Sequence, residues 1–339
     1  VITSDPRAVA AALLDGALAI LPTETVYGLA GRADDPAAVA RIYAVKGRPA
    51  LHPVIVHVAG PHLDPTEPGA WVSTVPEYAR LLAEAFWPGP LTLVLPRATR
   101  ATDDVTGGQE TVAVRVPAHP VALEVLRAMD ELDPAGAPHG VAAPSANRFG
   151  HVSPTALEHA LADLGPLLDD MDCALDGGAC TVGVESTIVD CTGAQPRVLR
   201  PGGIGVADIE RVTGLEALDA TASGIRVPGA LPSHYAPAAA LALATDEQAL
   251  GAYVDASLEG GIEPGRIGII APAGVETPEG AHRLLEPGSV DAYARGLYDA
   301  LRRADAIGIT FVIAVPPSPD AEGVSDAIAD RLRRASAPR

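Results

Sequence analysis

Lysine is almost missing from this chain. Of its 24 Lys and Arg residues only Lys46 is lysine. Arginine presents a wide planar fork, whereas lysine presents a compact, rotatable point charge. A sole lysine inside Lys46-Gly47-Arg48-Pro49 suggests a place where a small ammonium must fit among anionic oxygens. Positive charge is scarce as a whole: 43 acidic residues leave a net charge of -19. That disfavours a broad, sequence-independent grip on nucleic acid, which needs many phosphate-neutralising cations. It leaves room for a small anion in a local basic pocket. The acidity itself speaks of solubility or a saline habitat. Three cysteines, Cys173, Cys180 and Cys191, form no C-x-x-C pair and no zinc pattern, which suits reduced thiols in the cytoplasm. No H-E-x-x-H is present, and no protein-built metal site is expected. Residues 1–10 lack a basic start and an apolar stretch, so they do not read as a signal peptide. The longest apolar run, near 307–315, is too short to span a bilayer, and no membrane partner is expected. Aromatics make up only 4% of the chain, yet 48% of it is hydrophobic, a globular rather than disordered balance.

The 339 residues suffice for two domains. Asp5-Pro6 opens a helix that Gly16 ends, and 17–21 is a buried strand. Pro22-Thr23-Glu24-Thr25-Val26-Tyr27 then places hydroxyls and a carboxylate at a strand end, where open α/β sheets bind ligands. Asp35-Pro36 caps the next helix and Gly47 ends it, so Lys46 and Arg48 lie at a helix C-terminus. The dipole alone would welcome cations there. A strand at 54–58 follows, carrying His57. A helix at 76–86 and strands at 91–95 and 111–116 come next. Arg115 lies inside the last of these, among valines, an uncommon place unless the side chain reaches a pocket or an edge. After a helix at 119–129, 141–147 breaks from a small-residue strand into Ser145-Ala146-Asn147. Ser153-Pro154-Thr155 reads as a capped helix start whose free amides would face an anion. Glu185-Ser186-Thr187 enters a strand and Arg200-Pro201-Gly202 leaves one. So many polar strand ends suggest one shared pocket.

The boundaries read as a larger α/β domain over 1–213, a linker over 214–238 and a small α/β domain over 239–339. The linker holds Ser233-His234-Tyr235-Ala236-Pro237, richer in polar and aromatic groups than a spacer needs. Strand and helix alternate again beyond it. Neither a Walker loop nor a G-x-G-x-x-G fingerprint nor a nucleophile elbow is present. Lys46, Arg48, Arg115 and Arg200 among hydroxyls suit phosphate and carboxylate. Without an evident base or nucleophile, such a site works by positioning and by neutralising charge at phosphorus.

The ordered run PTETVYGL, KGRP, HPVIVHV, FWPGPLTLVL, VAVRVP, APSAN, SPT, GVESTIVD, LRPG and SHYAP resembles the L-threonylcarbamoyladenylate synthases in their two-domain form. The resemblance covers 15–240 densely and the remainder loosely. It implies a YrdC-like twisted mixed-sheet α/β domain followed by a smaller Rossmann-like α/β domain. It implies a reaction of L-threonine, bicarbonate or carbon dioxide, and ATP that yields threonylcarbamoyl-adenylate and pyrophosphate. Magnesium would ride on the ATP phosphates, and the product would pass to a tRNA threonylcarbamoyl transferase. Carried over by motif, Lys46, Arg48, Thr111, Ser145, Ser153 and Arg200 would hold the nucleotide's phosphates, with Asn147 beside the nucleotide and Tyr235 folded over it. Thr25, His57, Arg115, Ala143 (by backbone) and Ser186 match the threonine side. His52 stands where many relatives carry asparagine next to the nucleotide. The acidity argues against direct tRNA binding. Two other readings remain at this point: carbamoyl-adenylate formation for another pathway, and a non-enzymatic RNA-binding or ribosome-maturation module.

Overall fold

A computed structural model describes residues 2–49, 51–229, 234–318 and 323–338. Ser233 and the rest of 230–233, within the expected linker, lie outside the described residues. By its internal contacts the chain divides into two units. One comprises 1–149, 154–181 and 185–230; the other comprises 150–153, 182–184 and 231–339.

In the first unit, β1 (Ile2–Thr3) leads into α1 (Pro6–Leu14). Asp5 opens α1 by accepting the Arg7 and Ala8 amides at 2.9 and 3.3 Å, donors that no helix carbonyl can satisfy. After β2 (Ala19–Leu21) and β3 (Gly28–Arg32), Asp35 caps α2 (Pro36–Lys46) in the same way, accepting from Ala37 N at 2.9 Å. Gly47 ends α2 at φ 64°, a conformation that favours glycine. Then come β4 (Ile55–Val58), α3 (Glu77–Phe86), β5 (Leu91–Pro96), α4 (Asp103–Thr106), β6 (Thr111–Arg115), α5 (Pro120–Leu132), β7 (Gly140–Ala142) and α6 (Leu157–Leu164). The unit closes with β8 (Cys173–Leu175), β9 (Thr187–Asp190), β10 (Arg197–Arg200) and α7 (Val206–Thr213).

These strands form one ten-stranded mixed sheet in the order β1-β8-β2-β3-β7-β4-β6-β5-β9-β10. Parallel pairs (β4 with β6, β5 with β9) are mixed with antiparallel ones (β3 with β7, β5 with β6). Successive side chains of a strand face opposite sides. Leu18 and Ile20 join the core with Leu29, Ile42, Val56, Leu82 and Leu93, while Ala19 and Leu21 join the opposite one with Val9, Leu13, Val125 and Met129. Both faces of the sheet centre are therefore covered, which is why 17–21 reads as an unbroken apolar run.

Two expectations change here. The Ser153-Pro154-Thr155 step does not start a helix: α6 begins at Leu157, with Ala156 at the cap and no side-chain cap bond. The sequence also marks no strand between 21 and the Asp35-Pro36 helix, yet β3 starts at Gly28 and pairs antiparallel with β2. Residues 225–227, within the expected linker, pack on the first unit. Ile225 and Val227 join a cluster with Ile55, Val94 and Ile188, and Arg226 donates to Leu51 O and Gly107 O at 3.2 and 2.7 Å.

The second unit is Rossmann-like in its parallel strands and covering helices. It contains β11 (Ala240–Leu243), α8 (Glu247–Glu259), β12 (Ile267–Ile270), β13 (Ala281–Leu285), α9 (Val290–Ala306), β14 (Phe311–Ala314) and α10 (Ser325–Ala335). All four strands run parallel in the order β11-β14-β12-β13. Asp246 and Ser289 cap α8 and α9.

Candidate active site

The strand register brings separated motifs side by side. Opposite β3, β7 runs with Gly31 facing Ala142, and the pairing continues past the strand as a bridge between Gly28 and Ser145. Leu29 N donates to Pro144 O at 2.8 Å and Ala146 N to Tyr27 O at 2.7 Å. The Thr-Glu-Thr turn therefore lies along the Ser-Ala-Asn turn. A Cβ on Gly28 would stand 3.2 Å from that of Ala143, so small residues at both positions let the two backbones approach. Ala143 N donates to Ile55 O at 3.1 Å, and His57 lies directly across from Arg115 in the β4–β6 pair.

Arg115 is buried, and its place is explained by its partners. Its Nη2 donates to Glu24 Oε1 at 2.6 Å and to Thr25 Oγ1 at 3.0 Å, and its Nε donates to Gly89 O at 3.2 Å. Glu24 Oε2 accepts the Ala118 amide at 3.0 Å. A buried charge needs such a partner. Glu24 is the residue that sequence reasoning left off the site. The signal was available: a carboxylate between two threonines at a buried strand end needs a cation, and Arg115 needs an anion. Burial, and then the Arg115 charge, push the His57 pKa down to about 3, so its imidazole is neutral at physiological pH.

Ser186 and Arg200 meet through the antiparallel β9–β10 pair. Arg200 Nε and Nη2 donate to Ser186 O at 3.1 and 2.8 Å, Nη2 also reaches Ser186 Oγ at 3.1 Å, and Nη1 donates to Pro228 O at 3.0 Å. Gly202 follows because any Cβ there would collide with Thr187 N and the Ser186 backbone. Thr92, on β5 and fully buried, holds Ser186 Oγ at 2.8 Å.

The lone lysine does not cap its own helix. Lys46 is 2% exposed, and its Nζ donates to Ser145 O at 2.5 Å and Asn147 O at 2.6 Å. No carboxylate lies within ion-pair distance of it among the described residues. Burial, and then the Arg48 charge, hold the ammonium's pKa well below the ordinary lysine value. Ser145 and Asn147 thus meet Lys46 through backbone oxygens. Arg48 Nη2 donates to Pro53 O at 2.8 Å, the guanidinium lies 5.8 Å from the Phe149 ring centre, and the His52 imidazole lies 5.6 Å from the same ring. Burial and the Arg48 charge lower the His52 pKa.

Two groupings result: Lys46, Ser145 and Asn147 with Arg48 and His52 nearby in the chain, and Thr25, His57, Ala143 and Arg115 on adjoining strands. Ser186 pairs with Arg200. Thr111 opens β6 at the end away from Arg115, opposite Pro96. Ser153 and Tyr235 belong to the second unit. There the Ser153 carbonyl accepts from Arg302 Nε at 3.4 Å. Tyr235 is buried at φ 61°, an unusual backbone for tyrosine, with Tyr298 stacked 5.6 Å away and Arg331 over its ring at 5.1 Å. Among the described residues, no group of three or more His, Cys, Asp or Glu could hold a metal ion, and no helix is long and apolar enough to cross a membrane.

A ten-stranded mixed sheet whose strand ends carry carbonyl-held cations and hydroxyls defines the class as an α/β protein of YrdC-like fold. The family model described as "Telomere recombination", Sua5_yciO_yrdC, matches residues 11–202, and the one described as "Threonylcarbamoyl-AMP synthase, C-terminal domain" matches 204–337. The threonylcarbamoyl-AMP synthase of Pyrococcus abyssi is 36% identical over 97% of this chain and 93% of its own length. That of Bacillus subtilis is 39% identical over 99% and 95%. The crystal structure of P. abyssi Sua5 complexed with L-threonine superposes with a TM-score of 0.87 at 34% identity, covering 99% of this chain and 97% of the other. The chain belongs to the Sua5 family of threonylcarbamoyl-AMP synthases, in its two-domain form.

Proposed function

We propose that this chain joins L-threonine, bicarbonate or carbon dioxide, and ATP into L-threonylcarbamoyladenylate, releasing pyrophosphate and supplying the threonylcarbamoyl group for a tRNA adenosine next to the anticodon. The observation that carries the reading is the full-length match to curated threonylcarbamoyl-AMP synthases across both units. The P. abyssi relative, whose crystal structure holds L-threonine, supports the amino-acid side.

In the first step the threonine amine adds to carbon dioxide and loses a proton, giving a carbamate. A carbamate oxygen then attacks the α-phosphorus of ATP, and pyrophosphate leaves. Thr25, His57, Arg115, the Ala143 backbone and Ser186 hold threonine. Arg115 gives its carboxylate a charge-assisted contact, worth about 1.5–3 kcal/mol. His57, neutral, adds a hydrogen bond without adding charge. Lys46, Arg48, Thr111, Ser145, Ser153 and Arg200 serve the phosphates, and His52, Asn147 and Tyr235 the rest of the nucleotide. Lys46 and Arg48 act on the reacting phosphates by neutralising charge as the α-phosphorus is attacked.

Magnesium belongs to this chemistry as a passenger of the ATP phosphates, where it would neutralise pyrophosphate charge. Lys46, Arg48 and Arg200 suit an anion rather than a bare cation, so the phosphate oxygens would carry the metal. The product passes to a tRNA threonylcarbamoyl transferase, and the activity belongs in the cytoplasm. The test is the product itself. Radiolabelled bicarbonate should enter an adenylate only when L-threonine and ATP are both present; label in an adenylate without threonine would overturn the reading.

A further inference from the structure

Hydroxyl groups are ambiguous contacts, since each has one proton and two lone pairs. In the first unit the ambiguity is resolved by two threonines that the site reading does not use, Thr23 and Thr92. Thr23 Oγ1 is 2.6 Å from the Val26 carbonyl, which can only accept, so the Thr23 proton is committed there. Thr23 Oγ1 also accepts the Thr25 and Val26 amides at 3.2 Å, and with its own proton spent on Val26 its 2.9 Å contact with Thr25 Oγ1 can only carry the Thr25 proton. Arg115 Nη2 occupies one Thr25 lone pair at 3.0 Å. Thr25 is left with a lone pair alone.

At Ser186 the same accounting gives the opposite polarity. Arg200 Nη2 fills one lone pair of Ser186 Oγ at 3.1 Å. Thr92 Oγ1, at 2.8 Å, is fully buried and has Ser186 as its one side-chain partner among the described residues. Either Thr92 donates and Ser186 keeps an uncommitted proton, or Ser186 donates and the Thr92 proton is stranded in the core. Stranding a buried donor is costly. A ligand acceptor beside Ser186 removes the cost only in the first arrangement.

We infer that Thr23 and Thr92 are positioning residues that fix hydrogen-bond polarity, making Thr25 an acceptor and Ser186 a donor. The ligand this pair selects offers an N–H or O–H on one side and a carboxylate or hydroxyl oxygen on the other, as an α-amino acid does. The inference rests on the reading that Thr25 and Ser186 face the amino acid. Thr92 contacts no substrate and acts through Ser186.

The test is calorimetric titration of the full chain with L-threonine, alongside steady-state kinetics, for Thr92→Val, Thr92→Ser, Ser186→Ala and the double variant Thr92→Val/Ser186→Ala. Valine keeps the shape and removes the proton that occupies the Ser186 lone pair. Thr92→Val should weaken threonine binding about fivefold, the worth of one ordinary hydrogen bond, through KM for threonine rather than for ATP. Thr92→Ser should restore it. In the Ser186→Ala background, Thr92→Val should add nothing. If Ser186→Ala weakens binding but Thr92→Val does not, or if the two effects simply add, the polarity inference is wrong. If Ser186→Ala itself leaves threonine affinity unchanged, Ser186 does not face the amino acid, and the site reading falls together with the inference.

Discussion

Lys46→Met separates a ligand-holding lysine from a merely structural one. Methionine keeps the unbranched stem and removes the ammonium. Two effects oppose each other. The Ser145 and Asn147 carbonyls, now 2.5 and 2.6 Å from Nζ, lose their donor. Each bare buried carbonyl costs about 1–3 kcal/mol. Against that, the variant no longer buries an ammonium that is 2% exposed and, among the described residues, has no carboxylate at ion-pair distance, a relief of several kcal/mol per ion. The depressed pKa shows that the charged form is disfavoured in this environment. The two effects should nearly cancel, leaving stability within about 2 kcal/mol of the parent, or less than roughly 8 °C in Tm. Turnover should fall to near the detection limit, because Arg48 and Arg200 alone then leave the reacting phosphate charge under-neutralised. Sign and pH window follow from the same shift. The folded pKa lies below the unfolded one, so between them the unfolded chain binds more protons. Parent stability therefore rises as pH climbs through that interval toward about 10.4, and the Met variant lacks the rise. Paired urea melts and pyrophosphate assays measure both quantities. A variant that retains turnover, or one that unfolds outright, refutes the reasoning.

His57→Gln should flatten the acid limb of stability. With the folded pKa near 3, the unfolded chain takes up a proton as pH falls below about 6.5 and the folded chain does not. Parent stability should drop between those values more steeply than the variant's in urea melts; identical limbs would contradict the assignment. Glu24→Gln leaves the Arg115 guanidinium buried without its counter-charge. It should lose about 3–5 kcal/mol of stability and raise KM for threonine more than KM for ATP, read by denaturant unfolding and initial rates; an unchanged midpoint would contradict the ion-pair account.

Local features of this fold are legible in the amino-acid sequence. Asp5, Asp35 and Ser289 announce helices because a cap is a local hydrogen bond between near neighbours in the chain, and Gly47 announces an end because its backbone conformation is local too. What the sequence hides depends on distant partners. Gly28–Arg32 is GLAGR, too small and too glycine-rich to read as a strand; pairing with β2 and β7 makes it one. Ala281–Leu285 carries His282 and Arg283 and hides its strand character on a sheet edge. Ser153 followed by proline imitates a helix start, yet the helix begins at Leu157. Lys46 stands out by its rarity, but no pattern announces that its partners are the main-chain oxygens of Ser145 and Asn147. Glu24 and Thr92 are visible as residues and invisible as partners, since both bonds cross more than ninety positions of chain.

The central claim is that one chain makes pyrophosphate from ATP only by adenylating a carbamate of threonine. Pyrophosphate release by the purified protein, measured with L-threonine, bicarbonate, or both, tests it most directly. The account predicts release that requires both together and is not restored by carbamoyl phosphate in their place. Equal release from ATP alone, or from ATP with carbamoyl phosphate, would contradict it.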